Sequence, residues 1–169
     1  MSSFLRPFSK ENPYKLCFVC LGNICRSPTA EGVFIHKVKE AGLSSYFHID
    51  SAGTAAYHIG KGADNRSQEI ANKYGVHLPS RGRQLTYADL EEFDLILAMD
   101  SENFSNISHL DTRGIYSYKI KMIRYFDPTP EDGEVPDPYY GGAQGFENVF
   151  EMLDRSAEAL LEQLQEHME

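Results

Sequence analysis

Short apolar runs of strand length, each followed by a polar loop and then a helical periodicity, recur along this 169-residue chain. That alternation constrains the fold more than any other feature. KLCFVC (15–20) and DLILAM (94–99) are continuous in apolar character, the pattern of strands buried on both faces of a parallel sheet. Further strands are expected over 47–51 and 119–125. Helices are expected over 27–41, 65–74, 87–92 and 101–110. A closing helix carries Phe146, Val149, Phe150, Leu153, Ala157, Leu160, Leu161 and Leu164 at spacings of three and four, a core-facing stripe. The order implies an α/β fold: a single three-layer domain with a central parallel sheet of about four strands flanked by helices, flavodoxin-like or Rossmann-like in topology. Residues 1–14 read as a flexible N-terminal tail and 15–169 as the domain.

Composition narrows the function classes. A formal net charge of −9 disfavours a nucleic-acid binder or a protein held on anionic membranes. No stretch approaches the roughly 20 apolar residues of a membrane span, and the first residues lack the apolar core of a secretory signal. The three cysteines, Cys17, Cys20 and Cys25, are clustered and odd in number, a poor disulfide framework. A reducing, cytoplasmic setting is therefore expected, with a reversible Cys20–Cys25 link left open. Their spacing does not match a zinc knuckle, so no metal and no cofactor are expected.

The chemistry concentrates where the first strand ends, in CLGNICRS (20–27). In open parallel sheets, sites form at the carboxyl ends of strands. A tight loop entering a helix converges its backbone N–H groups into an anion nest, here from Leu21, Gly22, Asn23, Ile24, Cys25 and Arg26. Gly22 and Asn23 are residue types that tolerate a left-handed backbone. Ser27 is expected to cap the helix, with Pro28 in its first turn and Glu31 near its positive end. Arg26 adds an always-charged planar fork suited to two phosphate oxygens. The same positive field favours a Cys20 thiolate, so the loop reads as a device for attacking phosphate esters without a metal. A mid-strand Cys17 reads as core.

Such an attack needs a proton donor for the leaving group. VPDPYYGG (135–142) supplies Asp137 on a proline-stiffened loop, followed by Tyr139 and Tyr140. Alone, this segment is also an ordinary turn sequence.

Together, CLGNICRS near the start, IDSAGT (49–54) and DPYY (137–140) resemble the low-molecular-weight protein tyrosine phosphatases over Lys15 to about Leu164. The resemblance implies Cys20 as nucleophile, Arg26 as phosphate clamp and Asp137 as general acid and then base. It implies that Asn23, Ser27 and Ser51 support the loop, with Ser27 easing thiolate departure. Leu21, Ile24, Tyr57, Tyr139 and Tyr140 would form the substrate rim. The implied substrates are phosphotyrosine-containing proteins or peptides and small aryl phosphates, with inorganic phosphate as product. Monomer or weak homodimer is the implied state. Cys20 and Cys25 would form the redox pair.

One departure is informative, and two further features separate the chain from relatives of different function. Ser80 stands where some members carry a histidine that joins the loop-supporting network. Ile24 stands where the family's arginine phosphatases carry threonine, and no cysteine follows Cys25 as in arsenate reductases of this fold. A phosphotyrosine-binding module that grips phosphate without turnover would have no use for Asp137.

Overall fold

The computed structural model describes residues 3–169, Tyr140 by its backbone alone. Four parallel strands form the sheet: β1 (Tyr14–Cys20), β2 (Phe47–Gly53), β3 (Leu95–Ala98) and β4 (Ile120–Met122). Their spatial order is β2-β1-β3-β4. The five helices among the described residues are α1 (Arg26–Glu40), α2 (Asn65–Lys73), α3 (Tyr87–Glu92), α4 (Ser101–Leu110) and α5 (Gly142–Gln165). The expected α/β class, strand number and parallel sense are all present.

Two apolar cores lie on opposite faces of the sheet because successive strand residues point opposite ways. Leu16, Phe18 and Cys20 of β1 join Phe34 of α1 and Leu153 and Leu160 of α5. Cys17 and Val19 face Leu90, Phe93 and Ile107 on the other side. The chain leaves β1 toward β2 on one side and reaches β3 on the other. The loop after β1 therefore sits at the point where the strand order reverses, where an open sheet leaves a crevice.

Four expectations need correction. Residues 1–14 do not behave as a flexible tail from residue 4 onward; Met1 and Ser2 lie outside the described residues. Phe8 is fully buried, with its ring 5.3 Å from Tyr14 and 5.2 Å from Phe47. Its backbone pairs with His167 and Glu169, and Arg6 forks onto Asp94 at 2.8 Å. Phe8, with Phe4 and Leu5 packed against the same core, anchors an otherwise polar segment, a signal that averaging over the segment hides. Phe8→Ala is expected to cost about 3–5 kcal/mol in urea unfolding; a change below about 1 kcal/mol would show this segment unpacked in solution.

The strand expected over 119–125 is only Ile120–Met122, followed by a 3-10 turn over Ile123–Phe126. Arg124, fully buried in that turn, pairs with Asp127 and donates to the carbonyls of Thr129 and Glu134, which ties the turn to the loop that follows. Ser27 does not cap α1. The helix starts one residue earlier, Cys25 holds the cap position without a side-chain cap bond, and the Ser27 hydroxyl turns inward to the site. Glu31 likewise lies buried against Ser51, outside the first turn. At α4, Asp100 is the cap, accepting from the Asn103 amide at 2.7 Å.

Candidate active site

Cys20 is the last residue of β1, and the loop that follows folds back over the ends of β1 and β2. Its carbonyls are taken from outside: Thr54 N donates to Cys20 O, Ala55 N to Leu21 O and Asp64 N to Ile24 O, at 2.8–2.9 Å. Gly53, at the end of β2, is required by this closeness, since a Cβ there would lie 2.8 Å from Leu21 O. Of the two residues expected to adopt left-handed backbone, Asn23 does, with φ 58°. Gly22 serves space instead: a Cβ on it would meet the His58 ring at 2.9 Å.

The strained Asn23 backbone is held by its own side chain. Its Nδ2 donates to Ser27 Oγ at 2.7 Å and to Ser51 Oγ at 2.9 Å, while its Oδ1 accepts from the Arg83 amide at 3.1 Å. Because Asn23 donates to both hydroxyls, each serine keeps its own proton for another acceptor. Ser27 faces Cys20 Sγ at 3.1 Å, and Ser51 donates to Glu31 Oε1. Burial raises the Glu31 pKa above the usual carboxyl range, partly offset by the Ser51 hydroxyl. The buried Ser80 hydroxyl, which makes no well-formed hydrogen bond, is near enough to the same carboxyl to offset the rise a little further. Asn23, Ser27 and Ser51 thus form one buried network under the loop, as expected, and Glu31 is its far end.

Arg26 is buried, with a side chain only 3% exposed. Its Nη1 donates to Asp100 Oδ2 at 2.6 Å and to Val135 O at 2.9 Å. Its Nη2 stands 3.8 Å from Asp137 Oδ2. Burial works against the guanidinium charge, yet the neighbouring Cys20, Asp100 and Asp137 hold the Arg26 pKa above its ordinary value. Asp137 itself is exposed at the rim, and its Oδ1 accepts from the Tyr139 amide at 3.0 Å.

These groups surround one pocket of about 340 Å³, lined by Cys20, Leu21, Gly22, Ile24, Cys25, Arg26, Tyr57, His58, Asp137 and Tyr139. Residues distant in sequence, 20–26, 57–58 and 137–139, converge there. Tyr57 is 71% exposed and stands at the mouth. The Tyr140 side chain lies outside the described residues. Asn23, Ser27 and Ser51 lie beneath the pocket and do not line it. Cys25 has its thiol pushed up to about 12, chiefly by burial, with Asp64, Cys20 and Asp137 adding to it. All three cysteines are free thiols, and Cys17 is wholly buried, its pKa raised well above the ordinary value by desolvation.

The pocket floor holds a thiol, a guanidinium and a helix start, with a carboxyl at the rim. The family model for low molecular weight phosphotyrosine protein phosphatases matches residues 15–169. The chain belongs to that family. It is 39% identical over 158 residues to a low molecular weight protein-tyrosine-phosphatase of Streptomyces coelicolor, covering 92% of this chain and 96% of that one. Its fold is similar to the crystal structure of a protein tyrosine phosphatase from Entamoeba histolytica (TM-score 0.85, 39% identity, 90% of this chain and 97% of that one). A Drosophila arginine phosphatase is also similar (TM-score 0.82, 30% identity, 88% and 96%).

Within this family member, sequence reasoning overlooked His58, Asp100 as the partner of Arg26, and Arg83 behind Asn23. Asp100 was legible only as a helix cap, because its second carboxylate oxygen reaches Arg26 across the sheet. His58 adjoins the rim residue Tyr57, but no sequence pattern signals its approach to Gly22. Among the described residues, no helix is long and apolar enough to cross a membrane. Nor could any group of three or more His, Cys, Asp and Glu side chains among them hold a metal ion.

Proposed function

We propose that this phosphatase hydrolyses phosphotyrosine in proteins and peptides, and small aryl phosphates, through a phosphocysteine. The observation that carries this reading is the convergence of Cys20, Arg26 and Asp137 on one pocket floored by the loop after β1. The phosphate oxygens lie against the loop amides of residues 21–26 and the Arg26 fork. The Cys20 thiolate attacks phosphorus as the P–O bond to the phenol breaks, and Asp137 gives its proton to the departing oxygen. Asp137, now ionised, takes a proton from water as that water attacks phosphorus. The S–P bond breaks, and inorganic phosphate leaves. The Ser27 hydroxyl, 3.1 Å from Cys20 Sγ, stabilises the thiolate as it departs. Leu21, Ile24, Tyr57, Tyr139 and Tyr140 form the rim that holds the aromatic ring.

Cys25 does not compete as nucleophile, since its raised pKa keeps it protonated near neutrality. After Cys20 is oxidised by peroxide to the sulfenic acid, Cys25 condenses with it, releasing water and giving a reversible disulfide. A reducing, cytoplasmic setting and a monomer or weak homodimer belong to the same reading.

The likeness to an arginine phosphatase supplies the competing substrate, and Ile24 argues for the tyrosyl ring because it offers no hydroxyl to a guanidino group. Purified protein is expected to release phosphate from phosphotyrosine peptides at least about 100-fold faster than from phosphoserine peptides or phosphoarginine, in kcat/KM. A preference for phosphoarginine would overturn the substrate assignment while leaving the thiolate chemistry intact.

A further inference from the structure

Asp137 lies on a segment held at both ends. On the upstream side, Val135 is fixed by its amide donating to Met99 O and its carbonyl accepting from Arg26. The downstream hold is Arg66, in the first turn of α2. Its Nη1 donates to Tyr139 O at 3.0 Å, and its guanidinium lies 5.1 Å from the Tyr139 ring centroid and 4.5 Å from that of Phe146. The other edge of the fork is spent on Asp64, with Nε and Nη2 each 3.1 Å from its carboxylate oxygens. Asp64 is in turn bonded to the phosphate loop, its amide donating to Ile24 O at 2.8 Å.

The line therefore runs from Ile24 through Asp64 and Arg66 to Tyr139, and it ends on the acid. The Tyr139 amide is the group that donates to Asp137 Oδ1. With Oδ1 accepting that N–H, the proton of a neutral Asp137 resides on Oδ2, the oxygen that faces Arg26 and the pocket.

We propose that Arg66 is a positioning residue for the general acid. It fixes the Tyr139 peptide, whose amide sets the Asp137 rotamer and directs Oδ2 at the leaving oxygen. This rests on the reading of Asp137 as proton donor. A lysine could not serve, because one ammonium cannot fork onto Asp64, bond Tyr139 O and stack between two rings at once. The Arg66 side chain is 42% exposed, so its removal leaves folding largely untouched.

The test compares kcat/KM in wild type, Arg66→Ala, Asp137→Asn and the double variant. The substrates are dinitrophenyl phosphate, whose leaving group needs no proton, and phenyl phosphate, whose phenol resembles tyrosine with a pKa of about 10. Competitive inhibition by inorganic phosphate is measured alongside. Arg66→Ala is expected to lose about 10- to 100-fold on phenyl phosphate and less than about threefold on dinitrophenyl phosphate. Phosphate inhibition should stay unchanged, and the Arg66 loss should disappear in the Asp137→Asn background. Equal loss on both substrates, weakened phosphate inhibition or additive losses would overturn the proposal. Selective loss in Asp137→Asn with none in Arg66→Ala removes Arg66 alone. Equal loss on both substrates in Asp137→Asn removes the acid assignment and the proposal with it.

Discussion

Turnover of an aryl phosphate is expected to vanish in Cys20→Ser while inorganic phosphate still binds. The substitution exchanges Sγ for Oγ at a residue 3% exposed, on a strand end fixed by its ladder to β2. The Asn23, Ser27 and Ser51 network and the Arg26 contacts do not depend on the sulfur for their geometry, so the oxyanion cradle persists. What is lost is the nucleophile: a serine hydroxyl is ionised to a negligible extent near neutrality. Ser27 cannot activate it, since a neutral hydroxyl is too weak a base to take its proton. A fall in kcat of at least about 10⁴-fold is expected, with the inhibition constant for phosphate within a few-fold of wild type. Steady-state assays and phosphate titration of the purified variant check both halves. Residual activity above about one per cent would remove Cys20 from the role of nucleophile.

Arg26→Lys carries the second large effect. Arg26 serves two surfaces at once, the phosphate site and the base of the acid loop at Val135 O. Lysine preserves charge but replaces a rigid fork with a flexible point donor, which cannot reproduce the contacts to Asp100 and Val135 while also meeting two phosphate oxygens. Loss of one oriented donor at a developing charge costs about 10²–10³-fold. With the acid loop also loosened, kcat/KM is expected to fall about 10³-fold, with weaker phosphate inhibition. Lysine is the informative choice because alanine would leave Asp100 beside a buried void and confuse catalysis with folding. A loss smaller than about tenfold, or unaltered phosphate inhibition, would contradict the clamp role.

The two substitutions differ in how visible their logic was. Cys20 and Arg26 lie in one short segment between a strand pattern and a helix pattern, so their proximity follows from local geometry alone. Asp137 was legible mainly through the resemblance, since PDPYYGG by itself is a turn sequence. Phe8 and Arg124 illustrate the opposite case. Phe8 depends on the C-terminal residues His167 to Glu169, far away in the chain, and Arg124 on the irregular 129–134 loop that follows it. Periodicity carries no information about such partners. Ser27 shows how a local rule can be outcompeted. Its hydroxyl would cap a helix well, but the buried pair of Asn23 and Cys20 offers it a better-enclosed set of partners than a solvent-accessible helix end does.

By itself, the sequence determined the strand–helix alternation, the parallel sheet and the chemistry of the loop after β1. Hydrophobic periodicity and loop residue types are local properties, and these features depend on little else. Only the tertiary structure decided which oxygen of Asp137 faces the pocket, that Arg26 is shared between Asp100 and Val135, and that Arg66 joins the phosphate loop to the acid loop. Those are relations of distance between residues 26, 66, 100 and 137, which become neighbours only when the ends of the parallel strands and their following loops are brought to one edge of the sheet.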